Sequence, residues 1–280
     1  MTLRFLVYLD QLLLAGLTLC ARRTMPFEVS ALTIAMLAGA GALLTVAQFA
    51  VTALGMTGGD TAMLDREMLR YLAVETPMGI SGIARFVLLV LIAVVAMSTA
   101  RARLAILILA LAAVATLAWS GHAGASEGGI GILHRASDIV HVIAASAWLG
   151  TLALLLLAIA RLDTLNAELI AALGRFAVTG TLIVGALILS GIVNLWAIVG
   201  FKALPALVAT DYGRMLILKL LLFAAMLGFA AYNRWRLVPR LERSANEGAR
   251  SLRASVSLEA AAAVGVILAV AVLGTQSPTG

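Results

Sequence analysis

The segment 133-LHRASDIVHVIAASAWLGTLALLLLAIA-160 decides how this chain is read. It is longer than the roughly 20 residues an α-helix needs to cross a hydrocarbon core. Yet its first half carries two histidines and an aspartate. His134, Asp138, His141, Ala145 and Trp148 fall at i, i+4, i+7, i+11 and i+14, which is one face of a helix. The other faces carry Ile, Val, Leu and Ala suited to lipid. An ionisable group at membrane depth is costly unless it faces a bundle interior with partners or water. The segment therefore predicts a transmembrane helix in the company of others, with a polar face turned inward.

The rest of the chain supplies that company. Of 280 residues, 62% are hydrophobic and 12% charged, with a mean hydropathy of +1.07. Soluble domains carry about a quarter charged residues. Apolar runs at about 3–21, 29–57, 79–99, 104–121, 133–160, 175–200, 213–237 and 256–275 predict an all-α polytopic bundle of about eight transmembrane helices. The alternating ~10-residue segments of a membrane β-barrel are absent. Between the second and third runs, 60-DTAMLDREMLRYLAVETP-77 reads as a short amphipathic helix at the interface. A single cysteine, Cys20, excludes an intrachain disulfide and any CxxC metal clip.

Net charge is +6. In this context it is a topology signal rather than a sign of nucleic-acid binding. Twelve of the twenty Lys and Arg residues fall on one set of connecting segments, six on the opposite set, and Arg85 and Lys219 inside spans. The positive-inside rule makes the twelve-residue side cytoplasmic, so both termini and 120-SGHAGASEGGIG-131 face outward. There is also an internal echo. Thr76-Pro-Met-Gly79 precedes Arg85 by the same interval at which Thr210-Asp-Tyr-Gly213 precedes Lys219. It suggests two four-helix halves in parallel orientation, residues 1–121 and 122–280, a plan common among transporters.

All three histidines, His122, His134 and His141, lie around the Gly-rich loop. With Asp138 they form the candidate metal or haem ligands. His134 and His141 are separated by a rise of roughly 10.5 Å in a straight helix, against metal–nitrogen bonds near 2 Å. Two adjacent sites sharing Asp138, or using it to orient a histidine, are therefore favoured over one three-histidine site. Met56, Met78 and Met215 on the outer half are possible thioether ligands for monovalent copper, although none forms a tight pair. Trp148, Asn194, Lys219 and Glu259 are buried-span groups that line a path or pair neighbouring helices.

The ordered set 121-GHA-123, His134, Asp138, His141, 148-WLG-150, 175-RF-176, 190-SGIVNLW-196, 212-YGRMLILK-219, 233-NRWRLVP-239, 252-LRASVSLE-259 and Pro278 resembles the copper resistance protein D family. The resemblance covers roughly residues 119–278. It implies a bacterial inner-membrane protein that moves or handles copper between periplasm and cytoplasm, with a periplasmic copper-binding protein of the C type as partner. It also implies His122, His134, Asp138 and His141 as functional positions, with Trp148 as a neighbouring signature residue. The loop 123-AGASEGGIGIL-133 lacks a further Met or His. Two alternatives stand beside copper movement: a haem b-binding redox protein using His122 and His141 as axial ligands, and a metal-binding partner that does not transport. A P-loop, an HExxH motif and a nucleophile elbow are all absent, so neither ATP-driven transport by this chain nor enzymatic hydrolysis is expected.

Overall fold

The structure, a computed structural model, describes residues 1–21, 28–98, 102–121, 124, 126, 128–161, 167–201, 204–243 and 245–277. Every regular element among them is helical, as segments in lipid must be when they satisfy their own backbone hydrogen bonds. The first half holds α1 (Thr2–Cys20), α2 (Ala31–Met56), α3 (Arg66–Val74), α4 (Pro77–Ser98) and α5 (Arg103–Ala115). The last of these tightens into a 3₁₀ turn over Thr116–Trp119. The second half holds α6 (Gly128–Arg161), α7 (Ala167–Val199), a one-turn α8 (Leu204–Leu207) and α9 (Asp211–Tyr232). From α9 the chain passes through a π-helical turn (Asn233–Leu237) into α10 (Val238–Arg243), and α11 (Ala245–Leu273) follows.

Seven of these helices are long and apolar enough to cross a bilayer; the fourth expected span, Arg103–Trp119, is apolar but shorter. Three helices begin more than a turn earlier than hydropathy places them. α6 starts at Gly128 rather than 133, α7 at Ala167 rather than 175, and α11 at Ala245 rather than 256. The turns added to α6 are Gly-rich and those added to α11 are polar, so they escape a hydropathy reading while still propagating the helix; α7 gains the Ala- and Leu-rich stretch that precedes Gly174 and Arg175. At 34 residues α6 is about 51 Å long, well beyond the hydrocarbon thickness of about 30 Å.

The amphipathic segment before the third span folds as α3, whose N-terminus is capped by Asp65 Oδ1 accepting from the Met68 amide at 2.8 Å. Such a cap contributes about 1 kcal/mol. Leu72 is its buried anchor. The echo seen in sequence has a local structural meaning. Thr76 Oγ1 accepts from the Gly79 amide at 3.1 Å, and Thr210 Oγ1 accepts from the Gly213 amide at 3.0 Å. At both glycines a Cβ would strike carbonyl oxygens of the short helix just before, those of Leu72 and Ala73 in one case and Leu207 in the other. Each motif thus caps a spanning helix and folds the preceding turn tightly against it.

Helix packing sets the site. α1 crosses α6 with Gly16 against Gly150, where a Cβ on either glycine would collide with backbone of the other helix. Small residues permit this approach, which is how helices associate where lipid leaves no hydrophobic drive between them. Gly16 and Gly150 are separated by the same number of residues as Thr76 and Thr210, or Arg85 and Lys219. One turn further along, the Cys20 thiol donates to the Ala147 carbonyl at 3.3 Å and accepts from Thr151 Oγ1 at 3.4 Å. α1, α2, α4 and α5 close a ring in which each packs on two neighbours. In the second half α6 packs on α7 and α11, and α11 on α9, but the described residues of α7 and α9 barely touch. A cavity of about 380 Å³ occupies that gap.

Candidate functional site

The inward face of α6 lies where the sequence places it, but its members have separate surroundings. His134 is 2% exposed, and its Nδ1 meets Ser126 Oγ at 2.9 Å. Arg135 Nη1 donates to the Ser126 carbonyl at 2.9 Å, so one residue of the Gly-rich loop is tied to the first turns of α6 from two sides. His122 lies outside the described residues. One turn below His134, Asp138 Oδ1 accepts from Asn194 Nδ2 of α7 at 3.1 Å. The other atom of that amide, Asn194 Oδ1, is buried without a hydrogen-bond partner.

His141 Nδ1 meets Ser190 Oγ of α7 at 2.9 Å, and the Leu187 carbonyl lies beside the same ring. Ser190 is itself held: its hydroxyl reaches back to the Ala186 carbonyl, and its own carbonyl accepts from Ser137 Oγ at 3.0 Å. Ser137, Asp138 and His141 thus clamp α6 to α7 through Ser190 and Asn194. Each bond satisfies a group that would otherwise be stranded in a low-dielectric interior.

The open side of the half-buried His141 lines the 380 Å³ cavity together with Lys219 of α9. Lys219 lies within electrostatic reach of Asp138 and of His141, and Asp138 also acts on Tyr8 of α1. The remaining walls are apolar, chiefly Leu, Ile, Phe223 and Met226. The arrangement offers an imidazole and a carboxylate on one helix, a lysine opposite, and a largely apolar cavity beside them. Among the described residues, no three His, Cys, Asp or Glu side chains come close enough together to hold a metal ion.

Trp148 forms the floor of this cavity. It is 4% exposed and packs edge-on against Phe176, with ring centroids 6.5 Å apart. It also lines a second cavity of about 380 Å³ on its other side, together with Glu259, Asn233 and Arg234. There Glu259 accepts from Asn233 Nδ2 at 3.0 Å. The Trp148 indole lies near the same carboxylate, but its Nε1–H closes no hydrogen bond of good geometry. Of the pathway residues named from sequence, Asn194 and Lys219 therefore gather around Asp138 and His141, and Glu259 belongs to the second cavity.

The three methionines named from sequence join neither group. Met56 is exposed at the end of α2. Met78 lines a small cavity of about 50 Å³ with Arg4, Tyr8 and Arg85, and Met215 packs on Leu207, Tyr212 and Leu273. Arg85, the partner of Lys219 in the echo, donates to Thr116 Oγ1 at 2.8 Å and Ser120 Oγ at 2.9 Å, fastening α4 to the end of α5. Sequence reading gave no site role to Ser190, to Asn233 or to the buried pair Asp10–Gln11 of α1, whose side chains bond at 3.2 Å. Asp10 carried a signal, a carboxylate inside an apolar run. Ser190 and Asn233 stood only inside the motifs 190-SGIVNLW-196 and 233-NRWRLVP-239, with no role assigned, because a serine or asparagine in a membrane helix acquires its role from the helix opposite.

Comparison with known proteins covers both halves. Residues 1–132 match the family model described as copper resistance protein D-like, N-terminal domain, and residues 170–273 match that of copper resistance protein D. The chain is 33% identical to copper resistance protein D of Pseudomonas syringae pv. tomato over an alignment of 299 positions, covering 98% of this chain and 95% of that protein. It is 32% identical over 163 positions to inner membrane protein YebZ of Escherichia coli strain K12, covering 58% of this chain and 55% of that one. No solved structure matches. With the N-terminal and C-terminal models both matched and a relative aligned along nearly its whole length, the chain belongs to the copper resistance protein D family.

Proposed function

We propose that this protein moves copper across the bacterial inner membrane, accepting it on the periplasmic side at the His134–Asp138–His141 face of α6. The observation that carries this reading is His141, anchored through Nδ1 by Ser190 and lining a cavity shared with Lys219 and close to Asp138. With Nδ1 engaged, Nε2 is the ring nitrogen left for a metal. Anchoring of the second nitrogen is what metal-binding histidines require for orientation. Imidazole serves copper, zinc, iron and nickel alike; kinship with copper resistance protein D selects copper. The name of the E. coli relative and the apolar helices support the inner membrane.

The arginine distribution supports a cytoplasmic face at the Arg161–Arg253 end and both termini in the periplasm. A soluble periplasmic copper-binding protein is then the natural donor to the His134 end. A charged Lys219 repels a cation that enters the cavity, and that repulsion has to be compensated. Asp138, within reach of both, supplies the compensation.

The test is copper accumulation in cells that lack the native gene and express wild type or His141→Ala at matched levels. Wild type should raise or lower cellular copper, and His141→Ala should abolish at least about nine-tenths of that change. Equal accumulation with both, while purified wild type alone retains copper, makes this a binding protein that does not transport. A Soret band in purified wild type that vanishes in His141→Ala replaces copper by haem b.

A further inference from the structure

Trp148 is the only described residue that lines both cavities. Above it lie imidazole and ammonium groups; below it lies a carboxylate. Glu259 is 4% exposed, sits mid-way along α11, and has Asn233 as its hydrogen-bonded partner. Two polar atoms at the same place, Trp148 Nε1 and Asn233 Oδ1, are buried and unpartnered. Asn233 opens the π-helical turn that interrupts α9 and α10. Such turns are rare, and they are frequent at functional sites.

Charge accounting around Glu259 is short. Arg234, on the wall of the same cavity, is exposed and donates to Thr181 Oγ1 at 2.8 Å. Arg253, lower on α11, donates to the Ile159 carbonyl at 2.7 Å. Lys219, on α9, lies in the cavity beyond Trp148. None of them forms an ion pair with Glu259 within 4 Å among the described residues. A carboxylate buried in a membrane without a countercharge is expensive, by roughly 2.5–3.5 kcal/mol even on insertion scales. It is tolerated if a proton or a cation neutralises it. The donors here are all oxygens, with no sulfur or imidazole, so a copper ion is held weakly and in passing.

We propose that the Glu259 cavity is a cation–proton exchange site, the second station on the path below His141, with Trp148 as the partition between stations. The carboxyl group carries a proton while the cavity is empty. A monovalent copper cation passing Trp148 binds the carboxylate, and the O–H bond breaks to release one proton to bulk water. When the cation leaves, the carboxylate takes a proton back. Charge at the buried carboxylate stays near zero throughout, and the unpaired Asn233 Oδ1 supplies a second oxygen to the cation. This inference rests on the copper reading above.

The experiment is infrared difference spectroscopy of the full chain in proteoliposomes, with metal analysis of the same sample. Wild type should show a protonated-carboxyl carbonyl band that is lost in Glu259→Gln. Adding copper should bleach that band in wild type and release about one proton per copper bound. Asn233→Leu should shift the band rather than remove it, which keeps the assignment testable if Glu259→Gln does not accumulate. A band unchanged in Glu259→Gln, unshifted in Asn233→Leu, or unmoved while copper binds overturns the exchange site alone. Wild type that takes up no copper at all overturns the copper reading with it.

Discussion

At the scale of residues, the functional face combines groups that one helix specifies with groups only a neighbour can specify. His134, Asp138 and His141 are legible from spacing, because the helix period alone places them on one face. Ser190 is not, since an isolated serine in an apolar run is as often a packing residue; its significance is the 2.9 Å contact that orients His141. Removing such an orienting partner lowers metal affinity by roughly 10–100-fold. Ser190→Ala should therefore weaken copper binding by about that factor in competition titrations against a chromophoric copper chelator, with the helix content unchanged. Undiminished affinity would remove Ser190 from the site and leave it a packing residue.

At the scale of elements, the contact that fixes α6 in place is its crossing with α1. Gly16 and Gly150 meet there with no room for a Cβ, and the obstructing atoms are backbone, which cannot rotate away. Gly16→Leu should lower stability by about 1–3 kcal/mol or more, the cost of overpacking a filled interior. Gly39→Leu on α2, where a Cβ meets nothing within 4 Å, is the control. Thermal unfolding followed by size-exclusion chromatography in detergent separates the two: a falling midpoint for Gly16→Leu beside an unchanged one for Gly39→Leu is expected. Equal midpoints would show that the crossing contributes little. Gly150 stands in the quoted 148-WLG-150, but nothing in the sequence pairs it with Gly16 among 25 glycines, since a close approach depends on the partner's path.

At the scale of the whole molecule, the N-terminal and C-terminal groups of helices differ in closure. The ring of α1, α2, α4 and α5 is complete, and Arg85 is bonded into it; the corresponding ring in the second half is open between α7 and α9, and Lys219 stands at the opening. The proposed orientation can be read out directly, because the native Cys20 is buried and silent toward aqueous thiol reagents. Thr275→Cys, at the end of α11, should react with a membrane-impermeant maleimide on intact spheroplasts. Arg240→Cys, exposed at the opposite end, should react only after lysis. The reverse pattern inverts the topology and would put the His134 face in the cytoplasm.

Hydropathy and period by themselves determined that this chain is a bundle of membrane helices, where most of them run, and that one of them turns a His/Asp face inward. These are properties of single helices, set by which side chains lipid will accept and by 3.6 residues per turn. The tertiary structure decided which helices touch, that α7 and α9 part to leave a cavity beside His141, and that Trp148 divides it from Glu259. The physical reason is that every helix here is as apolar as the lipid it leaves. Hydropathy then says nothing about partners, and close fit between small residues and a few buried hydrogen bonds chooses them instead.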